Sequence, residues 1–434
     1  MRLPTSRVRG LLIAAAAIVL ALSCRGYAGV EVVSSDDEEA ARKQAKPGLE
    51  QLRQLAVETQ PRVAEMTGLP SGDPIAVDIM TRAELSEYVK KTIDLEYPNH
   101  DLQKRGMCLS EIGLLPPGYD LEQGMMMLVA EQAGAIYDPH TKCLRGISDL
   151  PPEMKNLATQ RLIVSHEICH ALQDRVIDII AQSEVCLSDL DREYAVRATI
   201  EGMATVLMLA YSQGLALDQV PDARSVMRAS FAYSESNPGM KVLASSPAYL
   251  KESLLSPYAD GAAFTQAWQT ANPGVALGSM LERMPLTSEQ ALHFDKYAGQ
   301  DRPEAIDLAA VGPALPEGWS LFYANTLGEF DLRMLFEAHE ATRGGAAAAA
   351  QGWDGLKFEA YSDAGGTLLV VGRSAWDSEA DAREFAESFE RAAGGGAPNR
   401  LSIAREGSTV SFAVGADAAI RDRVLAALGR PAGD

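Results

Sequence analysis

The sequence predicts an α+β protein in two parts. The first is a mainly helical domain carrying one small antiparallel sheet or hairpin, and the second is a C-terminal α+β module of ββαββα order. Three observations carry this. No Pro or Gly interrupts residues 153–183, where Leu162, Ile163, Ile168, Leu172, Val176 and Ile179 recur at helical spacing. The turn Asp138-Pro139-His140-Thr141 joins two short apolar runs as a hairpin does. Beyond Gly352, pairs of short apolar runs alternate with amphipathic stretches, which predicts helices on one face of an antiparallel sheet. A chain of 434 residues, 47% hydrophobic, is long enough to bury two cores.

Residues 1–23 read as an export signal. Arg2, Arg7 and Arg9 precede an unbroken apolar core at 11–22, too short to span a membrane comfortably. Cleavage before Cys24 would make that residue the lipidated start of an envelope lipoprotein, and cleavage after Ala28 would release a soluble periplasmic or extracellular protein. A lipid anchor at Cys24 is the one membrane contact the sequence suggests. Residues 24–49, centred on Ser34-Ser35-Asp36-Asp37-Glu38-Glu39, read as an acidic flexible lead-in. The formal charge is −20, and losing the three signal arginines makes it −20 − 3 = −23. No basic patch interrupts that excess, which excludes nucleic acid as a partner and disfavours polyanionic substrates.

The helical domain is expected over 50–310. It opens with a helix at 50–67, a strand at 74–80 and a helix at 81–95. A strand within 107–115 comes next, then residues 125–132 leading into hairpin strands at 135–137 and 143–147. Further helices fall at 153–183, 189–210 and 221–234. Segments 247–253 and 262–270 flank Ser256-Pro257-Tyr258-Ala259-Asp260-Gly261. A boundary falls within 300–318. The module, 319–434, has a helix at 326–339, a short Ala-run helix ending at Gly352, strands at 356–361 and 367–371, and a helix at 378–393. Strands at 401–405 and 409–414 and a helix at 417–428 close it. No His or Cys follows His339, so the module offers packing or substrate recruitment rather than metal chemistry. Cys108, Cys143, Cys169 and Cys186 permit disulfides in an exported protein. Cys108 with Cys143 is the favoured pair, since both flank the hairpin. Cys169 with Cys186 requires a helix end between them, and a buried thiol is an equal reading for Cys169.

The chemistry concentrates in His166-Glu167-Ile168-Cys169-His170. Four residues apart on a helix, the two imidazoles share a face and can bind one metal ion, while Glu167 lies about a third of a turn round, placed to reach a water on that ion. Two His ligands with an adjacent carboxylate as general base is the arrangement of zinc hydrolases. A third ligand is needed. Glu201, 31 residues past His170, stands among Ile200, Met203, Val206 and Leu207, where a carboxylate is costly unless paired or metal-bound. Gly202 and Ala204 are small enough to let this helix approach the first. Glu184, Asp189, Asp191 and Glu193 are rival ligands in more polar surroundings. Tyr258 and His293 are candidate donors to an oxyanion. Core packing or a capping hydrogen bond is the alternative for each. The strand at 142–147 is either a β-augmentation edge for an extended substrate or an ordinary sheet strand.

With these residues the chain resembles the gluzincins, zinc metallopeptidases with two His and a downstream Glu. It also resembles exported bacterial and archaeal proteins with a tyrosine-aspartate-proline hairpin, here Ala133 to Pro139, an H-E-x-x-H-A-L-Q-D helix, here His166 to Asp174, and an E-G-x-A helix, here Glu201 to Ala204. Ser256 to Gly261 and Thr287 to His293 look like that group's later signatures. The resemblance implies a zincin-like domain that hydrolyses peptide bonds of a peptide or protein, with zinc on His166, His170 and Glu201 and Glu167 as base. Many gluzincins carry an Asp one helical turn after the ligand Glu, supporting a zinc-bound His; Thr205 stands there instead. That departure leaves a second reading, a non-catalytic zinc-containing envelope lipoprotein that binds partners or scaffolds the surface.

Overall fold

The computed structural model describes residues 16–18, 35–150, 154–237, 239–394 and 400–429. The export-signal reading falls outside them except for 16–18. In chain order the helical part comprises β1 (Ala16–Ile18), α1 (Ser35–Thr67), β2 (Ala76–Met80), α2 (Arg82–Glu96), α3 (Asp101–Ile112), α4 (Leu121–Gln132), β3 (Ala133–Asp138) and β4 (Cys143–Ile147). It continues with α5 (Leu157–Ile177), α6 (Ile179–Cys186), α7 (Leu190–Gln213), α8 (Ala223–Glu235), α9 (Lys241–Ser245) and α10 (Ala248–Ala271). Short helices α11 (Ser288–Leu292), α12 (Phe294–Gly299) and α13 (Val311–Ala314) lead to the C-terminal sheet. There follow β5 (Ser320–Thr326), α14 (Glu329–Ala338), α15 (Ala346–Ala350), β6 (Trp353–Ser362), β7 (Leu368–Trp376), α16 (Glu379–Gly394), β8 (Leu401–Glu406), β9 (Thr409–Gly415) and α17 (Ala418–Leu428).

The α+β class holds, with several corrections. The first sheet has strand order β1-β3-β4-β2 and is mixed rather than antiparallel, because β2 pairs parallel with β4. β4 is therefore paired on both sides, by β2 and β3, and cannot accept a substrate strand; β3 is paired in turn with β1, whose Ala16 lies opposite Ile136, so the outer strands of this sheet are β1 and β2. Residues 107–115 form no strand. Leu102, Arg105, Cys108, Leu109 and Ile112 are buried at helical spacing in α3, which ends at Gly113 with φ +102. Residues 35–49, expected to be flexible, are helical; acidic residues leading into Ala, Lys and Gln suit a helix start. Cys108, Cys143, Cys169 and Cys186 are each free and buried, so the Cys108–Cys143 pairing is not made.

Two breaks fall elsewhere than expected. The long stretch at 153–183 divides at Asp178, which takes φ +49 and whose carboxylate accepts from Ala181 N. Pro257 does not divide α10, which runs through it. The residues beyond it explain what this helix gains. Asp260 accepts from Tyr194 Oη of α7 at 2.9 Å and pairs with Arg224 of α8 at 2.9 Å. Gly261 meets α7 backbone to backbone: a Cβ there would sit 1.9 Å from Ala198 O, and one on Gly202 would sit 2.0 Å from Gly261 C. Of the two small residues of the Glu201 helix, Gly202 thus faces α10, whereas Ala204 clusters with Val164, Ile168 and Leu172 of α5.

The C-terminal sheet, order β5-β6-β7-β9-β8, is antiparallel throughout. Its first strand, β5, has a mostly exposed or half-buried pattern and carries no apolar alternation to announce it. Helices cover both faces rather than one. Val370, Phe412 and Val414 cluster with Phe385 and Phe389 of α16, whereas Leu369, Val371 and Ala413 cluster with Val424, Leu425 and Leu428 of α17. The apolar runs Leu368 to Val371 in β7 and Phe412 to Val414 in β9 are what a sheet buried on both sides needs.

One cluster of buried side chains runs from the helical part into this sheet. Tyr194 stacks on Phe330 with ring centroids 4.1 Å apart, and Arg105 lies 3.1 Å from Glu193 and 3.3 Å from Tyr323 Oη. Asp331 is buried in this junction, accepting from Tyr249 Oη at 2.9 Å and from Gly328 N at 2.8 Å. Burial pushes its carboxyl up to about 7, although those two donors pull the other way. An acid raised this way binds a proton in the folded state that the unfolded chain, near 3.8, has released. Its stabilising contribution is complete below about pH 4 and is lost as pH rises through 7. Asp331→Asn, which can still accept from Gly328 N and donate to Tyr249, should match the parent in thermal unfolding at low pH. At pH 8 it should exceed the parent by roughly 1–4 kcal/mol.

Candidate metal centre

α5 begins at Asn156, whose side chain accepts from Thr159 N, and residues Leu162 to Asp174 of this helix are buried. α7 begins at Asp189, whose carboxylate accepts from Arg192 N. The two helices pack side by side and bring three donors together. His166 Nε2 and His170 Nε2 are 2.9 Å apart, and Glu201 Oε2 lies 3.1 Å from the first and 3.4 Å from the second. Four-coordinate zinc with ligands at about 2.0–2.1 Å holds its donors roughly 3.3 Å apart, so the triangle has the size one such ion spans. All three residues are at most 2% exposed. Among the described residues this is the one cluster of His, Cys, Asp or Glu whose ligand atoms close on a point, and it could hold a metal ion.

Protonation favours the same use. Burial, then the neighbouring His170, lowers the His166 imidazole below its ordinary value, which keeps it neutral. Burial alone would raise Glu201, but His170 and then His166, whose Nε2 atoms lie within 3.4 Å of its Oε2, outweigh it and hold the carboxyl at about 2. Gln173 fixes the other ring. Its amide nitrogen donates to Ile200 O at 3.0 Å, so its oxygen is the atom 2.9 Å from His170 Nδ1. His170 therefore donates from Nδ1, and Nε2 is the nitrogen it turns to the cluster. Among the described residues no side chain holds His166 in this way: its Nδ1 is buried without a well-formed hydrogen bond, with the Ala204 backbone the group acting on the ring, and the Thr205 hydroxyl, where the resembled family carries an Asp, is buried and unpaired. Replacing Gln173 with Leu should cost about 10–100-fold in metal affinity with the helices intact, read by competition against a chromophoric chelator and by circular dichroism.

Glu167 is fully buried beside the triangle. Its Oε2 accepts from the backbone N–H of Tyr137 at 2.5 Å, a bond from the outer side of β3. The Tyr137 side chain turns to α5, where its hydroxyl and Lys142 Nζ each meet Asp174 Oδ2 at 2.7 Å, while Asp174 Oδ1 accepts from Ile179 N. The hairpin is thus tied to α5 twice, once through Glu167 and once through Asp174. Asp138 stabilises the turn between β3 and β4 by accepting from His140 N at 3.0 Å.

Tyr258 belongs to the site. Its ring stacks on His166 with centroids 5.6 Å apart and planes 16° from parallel, and its hydroxyl is hydrogen-bonded to Glu201. Burial, then the Glu201 and Glu167 carboxylates, pushes the phenol well above its usual value, so it remains a donor. His293 does not join it. Its Nε2 is 2.8 Å from Glu329 Oε1, and the acids acting on it are Glu329, Glu289 and Asp295. The rival ligands are engaged elsewhere too. Asp189 accepts from Thr326 Oγ1, Asp191 from Ser288 N, Glu193 pairs with Arg105, and Glu184 is exposed. Burial, then Glu201 and Glu167, pushes the Cys169 thiol up, so it stays protonated and is a poor ligand.

Comparison with known proteins reaches only the C-terminal sheet. Residues 321–425 match the family model of a domain of unknown function (DUF8575). No curated protein and no solved structure matches the chain.

Proposed function

We propose that this protein is an exported, zinc-dependent metallopeptidase of the gluzincin type, acting on a peptide or protein. The observation that carries the reading is the buried Glu167 carboxylate, fixed by Tyr137 N–H beside a three-donor cluster on His166, His170 and Glu201 and not itself part of it. A purely structural metal site has no use for a second carboxylate at that position. Two imidazoles and one carboxylate suit zinc, which when bound acts as a Lewis acid on water and on a carbonyl. Glu167 takes a proton from the attacking water and hands it to the leaving amine, the role a carboxylate within reach of both can fill. Tyr258, which keeps its proton, donates to the oxygen that gains charge. The side of β3 that Ala16–Ile18 takes by antiparallel pairing is where an extended peptide backbone would lie in place of that segment.

The second reading, a zinc-containing envelope lipoprotein that cuts nothing, draws on the His166 Nδ1, which no side chain holds, and the unpaired Thr205 hydroxyl, a weaker support for one imidazole than the resembled family provides. Digestion of a broad peptide library with and without chelator separates the two. Cleavage that the chelator stops supports the enzyme. A zinc-loaded protein that leaves the library whole supports the scaffold.

A further inference from the structure

Arg197 is out of keeping with its surroundings. It is half-buried on α7, one helical turn before Glu201 and on the same face, roughly 6 Å away along the helix axis. Among the described residues it makes no hydrogen bond or ion pair. Every other half-buried or buried arginine there has a side-chain partner: Arg82 on Ala130 O, Arg105 on Glu193, Arg145 on Asp138, Arg192 on Pro285 O, Arg228 on Glu252, Arg333 on Glu337, Arg373 on Leu428 O and Arg421 on Gly415 O. The two carboxylates one turn to either side of Arg197 are already taken, Glu193 by Arg105 and Glu201 by the two imidazoles. Arg197 differs from those eight in having neither a carboxylate nor a carbonyl to accept from it among the described residues. Its charge is permanent, and partial burial removes water that would otherwise solvate it, so an arriving anion is favoured. It acts on the Tyr258 hydroxyl, which places its charge within electrostatic reach of the site.

The geometry points to Arg197 as the substrate-specificity residue of this centre: it binds a carboxylate of the peptide, from an acidic side chain or from the free C-terminus, next to the bond that Glu167 and the metal ligands address. This deepens the metallopeptidase reading and rests on it. The planar fork of the guanidinium suits a carboxylate held through two hydrogen bonds, and a lysine in its place supplies charge without that fit.

The test is calorimetric binding to zinc-loaded Glu167→Gln protein, so that the ligands stay intact. Four acetylated peptides are compared: Ala-Ala-Glu-Ala-Ala amide against its Gln counterpart, and pentaalanine free acid against pentaalanine amide. At least one carboxylate peptide should bind about 10-fold more tightly than its neutral twin, the scale of one charge-assisted pair. The pair that shows the difference identifies the source, side chain or terminus. Arg197→Gln should erase the preference and Arg197→Lys should keep part of it, with zinc content unchanged in both. Equal binding within both pairs, no binding by any of the four, or a preference that survives Arg197→Gln overturns the assignment. Chelator-sensitive digestion of the library by the parent protein is a separate readout, so loss of the carboxylate preference leaves the peptidase reading standing, and an inert library leaves the binding result standing.

Discussion

Glu167→Gln is expected to keep zinc at the parent's stoichiometry and to lose hydrolysis by about 10²–10⁴-fold, the contribution of a positioned general base. The substitution is nearly isosteric. The amide oxygen can still accept from Tyr137 N–H, so the tie between β3 and α5 survives and the fold should not change. What disappears is the ability to take up and return a proton. Zinc measured by atomic spectroscopy and turnover of a library-derived peptide together decide the role. A variant that cleaves as fast as the parent shows that another group is the base. One that comes out of purification without metal shows that Glu167 is a ligand.

His170→Ala should empty the centre. It removes one of three donors and leaves Gln173 Oε1 without its partner. The loss of metal affinity should therefore exceed the roughly 100-fold upper range expected for an orienting residue such as Gln173. The same competition assay reads both variants, and their order is the discriminating result: if Gln173→Leu is the more damaging, His170 is not a ligand. Acid should mimic the ligand variant, because protons compete for the imidazoles. Burial and His170 hold the His166 value below 6.5, so the parent should retain zinc somewhat further into acid than an ordinary imidazole pair would.

The convergence of His166, His170 and Glu201 was legible in the sequence because the information is local. Two His four residues apart on an unbroken apolar helix can only share a face, and a carboxylate among Ile200, Met203, Val206 and Leu207 must be compensated by something. Tyr258 and His293 stood equal in the sequence, since each is a polar ring near small or turn-forming residues. The difference is tertiary: α10 crosses α7 at Gly202 and Gly261, which delivers Tyr258 to His166, whereas α11 faces the module and delivers His293 to Glu329. Gln173 and Asp174 were in plain view beside the motif, and their spacing of three and four from His170 was a usable signal for supporting roles. Arg197 gave no signal, because having no partner is a property of the assembled fold. Local rules misled at Pro257, where Asp260 and Gly261 bind α10 to its neighbours strongly enough that the helix continues. They also missed β5, whose side chains are largely outside the core.

The junction across residues 311–318 bears on how the molecule can be taken apart. Ending the chain near residue 310 would strip Phe330 from Tyr194, Tyr323 from Arg105 and Asn325 from the first N–H of the helix that carries Glu201. A stretch that looks like an accessory is, mechanically, a buttress under the helix that carries Glu201, and the two halves must be expressed as one piece.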